Sequence, residues 1–144
     1  MPDDAETALI LSAAESHFKA MKEKKYVEIW RTLTEKSRVG IVRNVVDSSG
    51  KKGHSLKPEE TRADFESGGP LAKAYWDAYL TVFNPDMVLE QSAWSMGLVK
   101  KNETELLIRH RKAAGPAKLY MKKENGVWKV GLEETFGILR QFVK

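Results

Sequence analysis

The dipeptide Asn125-Gly126 lies between two runs of alternating apolar residues. Both of its residues tolerate positive φ, which a tight type I′ turn needs, so this is a strong local signal for a β-hairpin. With two residues in the turn, Glu124 faces Val127, Lys123 faces Trp128, Met121 faces Val130, Leu119 faces Leu132 and Ala117 faces Glu134. Leu119, Met121, Trp128, Val130 and Leu132 then share one side. Lys118, Tyr120, Lys122, Lys129 and Glu133 share the other. Because side chains alternate strictly along a strand, a slip of one residue would mix these sets.

The same reasoning extends towards the N-terminus. A four-residue turn at Ala113-Ala114-Gly115-Pro116 sets His110 opposite Leu119 and Lys112 opposite Ala117. Leu106, Ile108 and His110 then join the apolar side. A three-residue turn at Lys101-Asn102-Glu103 adds Trp94, Met96 and Leu98. Four strands are expected, at about 87–100, 104–113, 117–124 and 127–136.

The first half has helical spacing instead. Between Ala5 and Lys24, Ala8, Leu11, Ala14, Phe18 and Met21 recur three or four residues apart. A short helix at Tyr26–Leu33 carries Tyr26, Ile29, Trp30 and Leu33. The stretch Ser37–Val46 fits helix or strand; Ser37 as a cap favours helix. The segment Ser48 to Lys57 reads as a solvated basic loop. Pro58 opens a helix with Glu59 and Glu60 in its first turn, and Gly68-Gly69-Pro70 ends it. Leu71–Phe83 follows, with Ala72, Tyr75, Trp76, Tyr79, Leu80 and Phe83 on one stripe. Asn84-Pro85 stops that helix.

Helices followed by an antiparallel meander define an α+β fold class. At 144 residues, with 42% hydrophobic and 31% charged side chains, the chain suits one domain over residues 1–144. It has no Cys, which excludes disulfides, thiolate metal sites and Cys nucleophiles. Its three His residues lack the spacing of a zinc site, and no cofactor is expected. Asp3, Asp4 and Glu6 stand where a secretory leader would be basic. No run approaches the roughly 20 apolar residues of a membrane span. The cytoplasm is the expected compartment. The net charge of +4 is spread over scattered Lys and Arg. The basic loop contains no aromatic residue on which a base could stack, so nucleic acid is not the expected partner.

Two segments carry a family resemblance. One is Lys25-Tyr26-Val27-Glu28-Ile29-Trp30-Arg31-Thr32-Leu33-Thr34, following the opening helix. The other is the closing hairpin Glu124-Asn125-Gly126-Val127-Trp128-Lys129-Val130-Gly131-Leu132. Together they resemble the nuclear-transport-factor-two-like superfamily, which includes ketosteroid isomerase, scytalone dehydratase and polyketide-cyclase relatives. The resemblance implies a cone of curved sheet closed by N-terminal helices, often dimeric. The region between the second and third helices departs from it, having a Val-rich piece and a basic loop in place of a strand or short hairpin.

The candidate chemistry follows from the strand parity. His110 on the apolar side is the best-placed general acid or base, and Glu134 falls on the same side as a carboxylate that could orient it. An apolar pocket would be lined by Trp94, Met96, Met121, Trp128, Tyr75 and Tyr79, residue types that suit irregular apolar ligands. The ketosteroid isomerase pattern of catalytic Tyr and Asp is not matched, and Asp77 lies off the aromatic stripe. The leading expectation is a small-molecule-binding domain. An isomerase-, dehydratase- or cyclase-type enzyme is the alternative. A third reading is an interaction module, a homodimer through the outer sheet face near Leu107 and Tyr120. Arg109, Arg111, Lys118, Lys122 and Lys129 also lie on that face.

Overall fold

The computed structural model describes residues 4–112, 115 and 117–132. Among them six helices precede four strands: α1 (Asp4–Lys22), α2 (Tyr26–Arg31), α3 (Glu35–Lys51), α4 (Pro58–Ser67), α5 (Pro70–Val82), α6 (Pro85–Leu89), β1 (Ser92–Val99), β2 (Glu103–His110), β3 (Ala117–Glu124) and β4 (Val127–Val130). The strands form one antiparallel sheet in the order β1-β2-β3-β4. This is the α+β class expected from the sequence.

Local chemistry explains most helix boundaries. Thr34, not Ser37, caps α3: its hydroxyl accepts the Ser37 N–H at 3.2 Å. Ser37 is buried in the first turn instead. The Val-rich piece is helical, and α3 runs on through Ser48-Ser49-Gly50 to Lys51, well into the expected loop. Pro58 sits in the first turn of α4, where its missing N–H costs nothing. Gly68 follows α4 in the left-handed region at φ 70°, which glycine adopts without a Cβ clash. Asn84-Pro85 both stops α5 and starts α6, because Asn84 accepts the Asp86 N–H at 3.0 Å. Residues 87–91 are therefore not strand, and β1 begins at Ser92.

The buried face of α1 is rotated from the expected one. Ile10, Ala14, His17, Phe18 and Met21 are buried, whereas Ala8 is exposed and Leu11 half-buried. Burying Ile10 removes more apolar surface from water than burying Ala8, and that difference sets the roll of the helix.

The β3–β4 register is the expected one, with Met121↔Val130, Lys123↔Trp128 and Glu124↔Val127 paired around the turn. Asn125 and Gly126 both have positive φ, 52° and 80°. The β2–β3 register differs. Ile108 pairs with Ala117 and Leu106 with Leu119, so His110 lies beyond the end of β3 rather than opposite Leu119. The connection is longer than four residues, but the shift is even. Leu106, Ile108 and His110 thus keep their side of the sheet. In β1, Trp94 faces Ile108 and Met96 faces Leu106, with an irregularity before Val99↔Thr104. The turn there closes by Lys100 N–H donating to the Glu103 carbonyl at 2.7 Å. β4 is described only to Val130; the expected continuation to Phe136 lies partly outside the described residues.

The free edge of β4 is covered by the α2–α3 connection. Val130 N–H donates to the Thr32 carbonyl at 2.7 Å, and Thr34 N–H donates to the Val130 carbonyl at 2.9 Å, a parallel bridge centred on Leu33. This pairing protects an edge that would otherwise offer unsatisfied backbone groups. It also explains Lys129, which was expected to be exposed. Its side chain is half-buried and donates to the Arg31 carbonyl at 2.6 Å. Burial lowers its pKa.

Helices and sheet meet through a chain of rings. Trp30 contacts Phe65, Phe65 contacts Tyr75 and Trp76, Trp76 contacts Tyr79, Tyr79 contacts Phe83, Phe83 contacts Phe18, and Phe18 contacts Trp94. Centroid separations run from 5.1 to 6.4 Å, most pairs meeting edge to face. Trp128 is buried below α1, with its indole N–H on Glu6 at 2.9 Å. Trp128→Ala should cost roughly 3–5 kcal/mol in chemical denaturation. A loss below about 1 kcal/mol would mean that this site is not packed as described.

Candidate functional site

Three clefts mark the surface of the described residues. The first lies where the end of α1 meets the α5–α6 junction and has a volume of about 360 Å³. Its floor is Met21, Leu80, Phe83 and Met87, and its rim includes Lys22, Lys24, Asn84 and Asp86. The second, of about 390 Å³, lies between α3 and α4. The third, of about 160 Å³, lies against Lys100, Glu103, Thr104, Glu105 and Tyr120 on the sheet. None of the three is lined by Trp94, Met96, Met121, Trp128, Tyr75 or Tyr79.

The first cleft is built by two chain reversals. Lys24 takes a left-handed conformation, φ 56°, and its N–H closes the end of α1 on the Met21 carbonyl at 3.2 Å. Opposite it, the Asn84-Pro85 break turns the chain from α5 into α6. The two lysines on the rim differ electrostatically. Lys22 lies 2.8 Å from Asp86 and 3.2 Å from Glu90, and hydrogen bonds to these carboxylates raise its pKa. Lys24 enters no ion pair among the described residues. The cleft thus joins an apolar, methionine-containing floor to the exposed Lys24, which makes no direct ion pair among the described residues but whose charge helps to lower the Asp77 pKa.

The residues singled out from the sequence fall elsewhere. Met121 and Trp128 are buried in the core, with Trp94 and Met96 partly buried against it. The Trp94 indole N–H donates to the Val88 carbonyl at 2.9 Å. Tyr75 and Tyr79 are members of the ring chain on α5, and burial pushes the Tyr79 hydroxyl pKa upward. His110 keeps the apolar-side parity and is 7% exposed. It sits opposite Ser92 at the end of β2. Its Nδ1 accepts the Lys112 N–H at 3.2 Å, so Nε2 carries the proton and points it at Gln91 Oε1, 3.3 Å away. Both imidazole nitrogens are engaged in this arrangement. Its expected partner Glu134 lies outside the described residues. Asp77 is not simply solvated: it accepts from the Tyr26 hydroxyl at 2.5 Å and from Lys73 at 2.6 Å. These bonds lower its pKa, Lys73 contributing most. Among the described residues no group of three or more His, Asp or Glu is placed to hold a metal ion.

His17 is a polar group that the strand and helix patterns of the sequence do not single out. It is fully buried. The Thr32 hydroxyl donates to the Ile29 carbonyl at 2.6 Å, so it must accept from His17 Nδ1, 2.7 Å away. That leaves His17 Nε2 as an unprotonated, buried acceptor with no partner among the described residues. The only sequence signal was its position in the same helical stripe as Ala14, Phe18 and Met21.

Burial lowers the His17 pKa to about 3. Above the unfolded value near 6.5, the ring is neutral in both states and adds no pH dependence. As pH falls below about 6.5, the unfolded chain takes up a proton that the folded chain refuses. Stability should then drop with a slope approaching about 1.4 kcal/mol per pH unit from this group, until the folded value is reached. Urea unfolding of the native chain and of His17→Gln, compared from pH 8 to pH 4, isolates this contribution. The stability difference between the two proteins should tilt towards the variant as the solution is acidified. A difference independent of pH would show that His17 does not resist protonation.

No protein-family model matches the chain, and neither a curated protein nor a solved structure matches it.

Proposed function

We propose that the protein is a small-molecule-binding domain of the nuclear-transport-factor-two-like kind, and that its ligand occupies the cleft between the end of α1 and the α5–α6 junction. One observation carries this reading: an apolar floor of Met21, Leu80, Phe83 and Met87 lies beside exposed Lys24, which makes no direct ion pair among the described residues. The volume of about 360 Å³ lies in the range typical of small-ligand sites. Methionine side chains adapt to irregular apolar shapes. The matching ligand has an apolar body and one anionic group. Binding without catalysis is favoured, because the cleft's carboxylate, Asp86, is held by Lys22.

The family part of the proposal draws support from the order of elements, helices first and then a four-strand antiparallel meander. A homodimer through the outer sheet face belongs to the same reading. Leu107 and Tyr120 are half-buried on that face, and exposed Arg109, Lys118 and Lys122 surround them. Among the described residues no helix is long and apolar enough to cross a membrane. We place the protein in the cytoplasm.

The fluorescent probe 8-anilinonaphthalene-1-sulfonate has the required form, an aromatic body with one sulfonate. It should bind the folded protein at one saturable site. Lys24→Gln should weaken that binding about tenfold, equivalent to about 1.4 kcal/mol, while Lys122→Gln on the sheet leaves it unchanged. Equal affinity in the native chain and Lys24→Gln would remove the cleft from consideration.

A further inference from the structure

At its β4 margin the outer face of the sheet gathers three cations. Lys122 and Lys129 are direct cross-strand partners on that face, and like charges set opposite one another are unfavourable. Arg38 joins them from the first turn of α3. Arg38 Nη2 and Lys129 Nζ both donate to the Arg31 carbonyl, at 3.2 and 2.6 Å, and Arg38 Nε donates to the Trp30 carbonyl at 3.2 Å. Two full charges therefore meet at one neutral oxygen. Burial lowers the Lys129 pKa, the Arg38 charge lowers it further, and Glu124 opposes both.

The carboxylates around this group have other partners. Glu28 holds Arg31 at 3.2 Å, and Glu35 holds Arg62 at 2.6 Å. Glu124 accepts the Glu35 backbone N–H at 3.2 Å. Glu103, the β2 neighbour of Lys122, accepts the Tyr120 hydroxyl. Arg38, Lys122 and Lys129 enter no ion pair among the described residues. Capping the last carbonyls of α2 is one task of Arg38 and Lys129. Both side chains carry more N–H donors than those bonds use, and exposed Lys122 keeps all of its own. A helix end bears only a fraction of one negative charge, less than the two cations drawn to it. Three elements thus bring spare donors and excess positive charge to one accessible place.

We propose that Arg38, Lys122 and Lys129 form a binding site for a phosphate group, supplied as inorganic phosphate or as a phosphomonoester. A dianion with several acceptor oxygens engages the free side of the Arg38 fork and both ammonium groups together. A carboxylate has fewer oxygens and half the charge. The bound anion offsets the repulsion between Lys122 and Lys129. The site shares no residue with the cleft of Met21 and Lys24, and it does not depend on that cleft holding a ligand.

Calorimetric titration of the folded chain with inorganic phosphate tests the site. It is done at about pH 8, where phosphate is the dianion, with chloride holding the ionic strength constant. One saturable site is expected. Lys122→Gln and Lys129→Gln should each weaken binding about fivefold or more. Arg38→Lys keeps the charge, loses the fork and should weaken it about threefold. Lys118→Gln, on the same face but 3.7 Å from Glu105, should leave it unchanged. Acetate should bind about tenfold more weakly than phosphate. Circular dichroism establishes that each variant is folded. Lys122 is exposed and makes no bond among the described residues, so its variant decides the test even if loss of the Lys129 bond unfolds the chain. Glycerol 1-phosphate, titrated in parallel, distinguishes the sources: tighter binding than phosphate supports a phosphomonoester, and equal or weaker binding supports the free ion. Absence of saturable phosphate binding overturns the proposal. So does an unchanged phosphate affinity in folded Lys122→Gln, or acetate bound as tightly as phosphate.

Discussion

Three residues between α2 and α3 connect the helical half to the sheet. Thr32 and Thr34 exchange backbone hydrogen bonds with Val130 on either side of buried Leu33. The Thr32 hydroxyl links the Ile29 carbonyl to His17 on α1. The preceding carbonyl, Arg31, accepts from Lys129 of β4 and from Arg38 of α3. Short sequence separation cannot account for this junction, because Val130 lies almost a hundred residues away. Its closure fixes the edge of β4, the end of α2 and the start of α3 together. A change there would leave backbone groups unpaired in the interior, which costs more than the loss of an exposed hydrogen bond.

Around that junction the helices meet one another through aromatic rings, while the sheet contributes an aliphatic layer of Leu106, Ile108, Leu119 and Val130. Phe18, Phe65 and Trp76 are essentially inaccessible; Phe65 joins α4 to α5 through edge-to-face contacts, and Phe18 of α1 meets Phe83 at the end of α5 in a tilted one. Two cations flank these rings: the Arg38 and Arg62 guanidinium groups lie 5.8 and 5.9 Å from the Trp30 ring. Arg62 is bound to Glu35 at the same place, so one residue ties α4 to both α2 and α3. The arrangement positions the α3–α4 groove beside a rigid base. It also directs the polar ends of Trp94 and Trp128 to protein acceptors, Val88 and Glu6.

The clefts accordingly lie at the margins of the fold, where chain reversals prevent close packing. At the α1 and α5–α6 ends, Lys24 and Asn84-Pro85 turn the chain too sharply for side chains to interdigitate fully. Along α3, Val39 faces outward, while Ser37, Ile41 and Val42 meet the core and Val45 and Val46 pack against its edge. The electrostatic pattern follows the same division. Charged side chains near the interior are paired or bonded to backbone, as with Lys129, Asp77 and Glu35. Lys24, Arg43 and Asp47 enter no direct ion pair among the described residues, although the Lys24 charge helps to lower the Asp77 pKa.

What the sequence determined by itself was local or periodic. Asn125-Gly126 set the final hairpin and its register, because a two-residue turn permits one pairing only. Pro58, Gly68 and Pro70 set helix limits through backbone geometry, and strand parity put Leu106, Ile108, Met121, Trp128 and Val130 on one side. Readings failed where two local choices were nearly equal in energy. Ser37 and Thr34 could each cap α3, and Thr34 won. Asn84-Pro85 signals both a stop and a start, and only the start of α6 moved β1 to Ser92. The β2–β3 offset and the burial of Lys129 and His17 could not be read in advance. They depend on contacts between residues far apart in the chain, and burial takes its energy from surface that only the assembled fold removes from water. The clefts beside α1 and α3 belong to the same category. Their residues were visible in the sequence, but tertiary structure decided which faces remained uncovered, because packing elsewhere used up the alternatives.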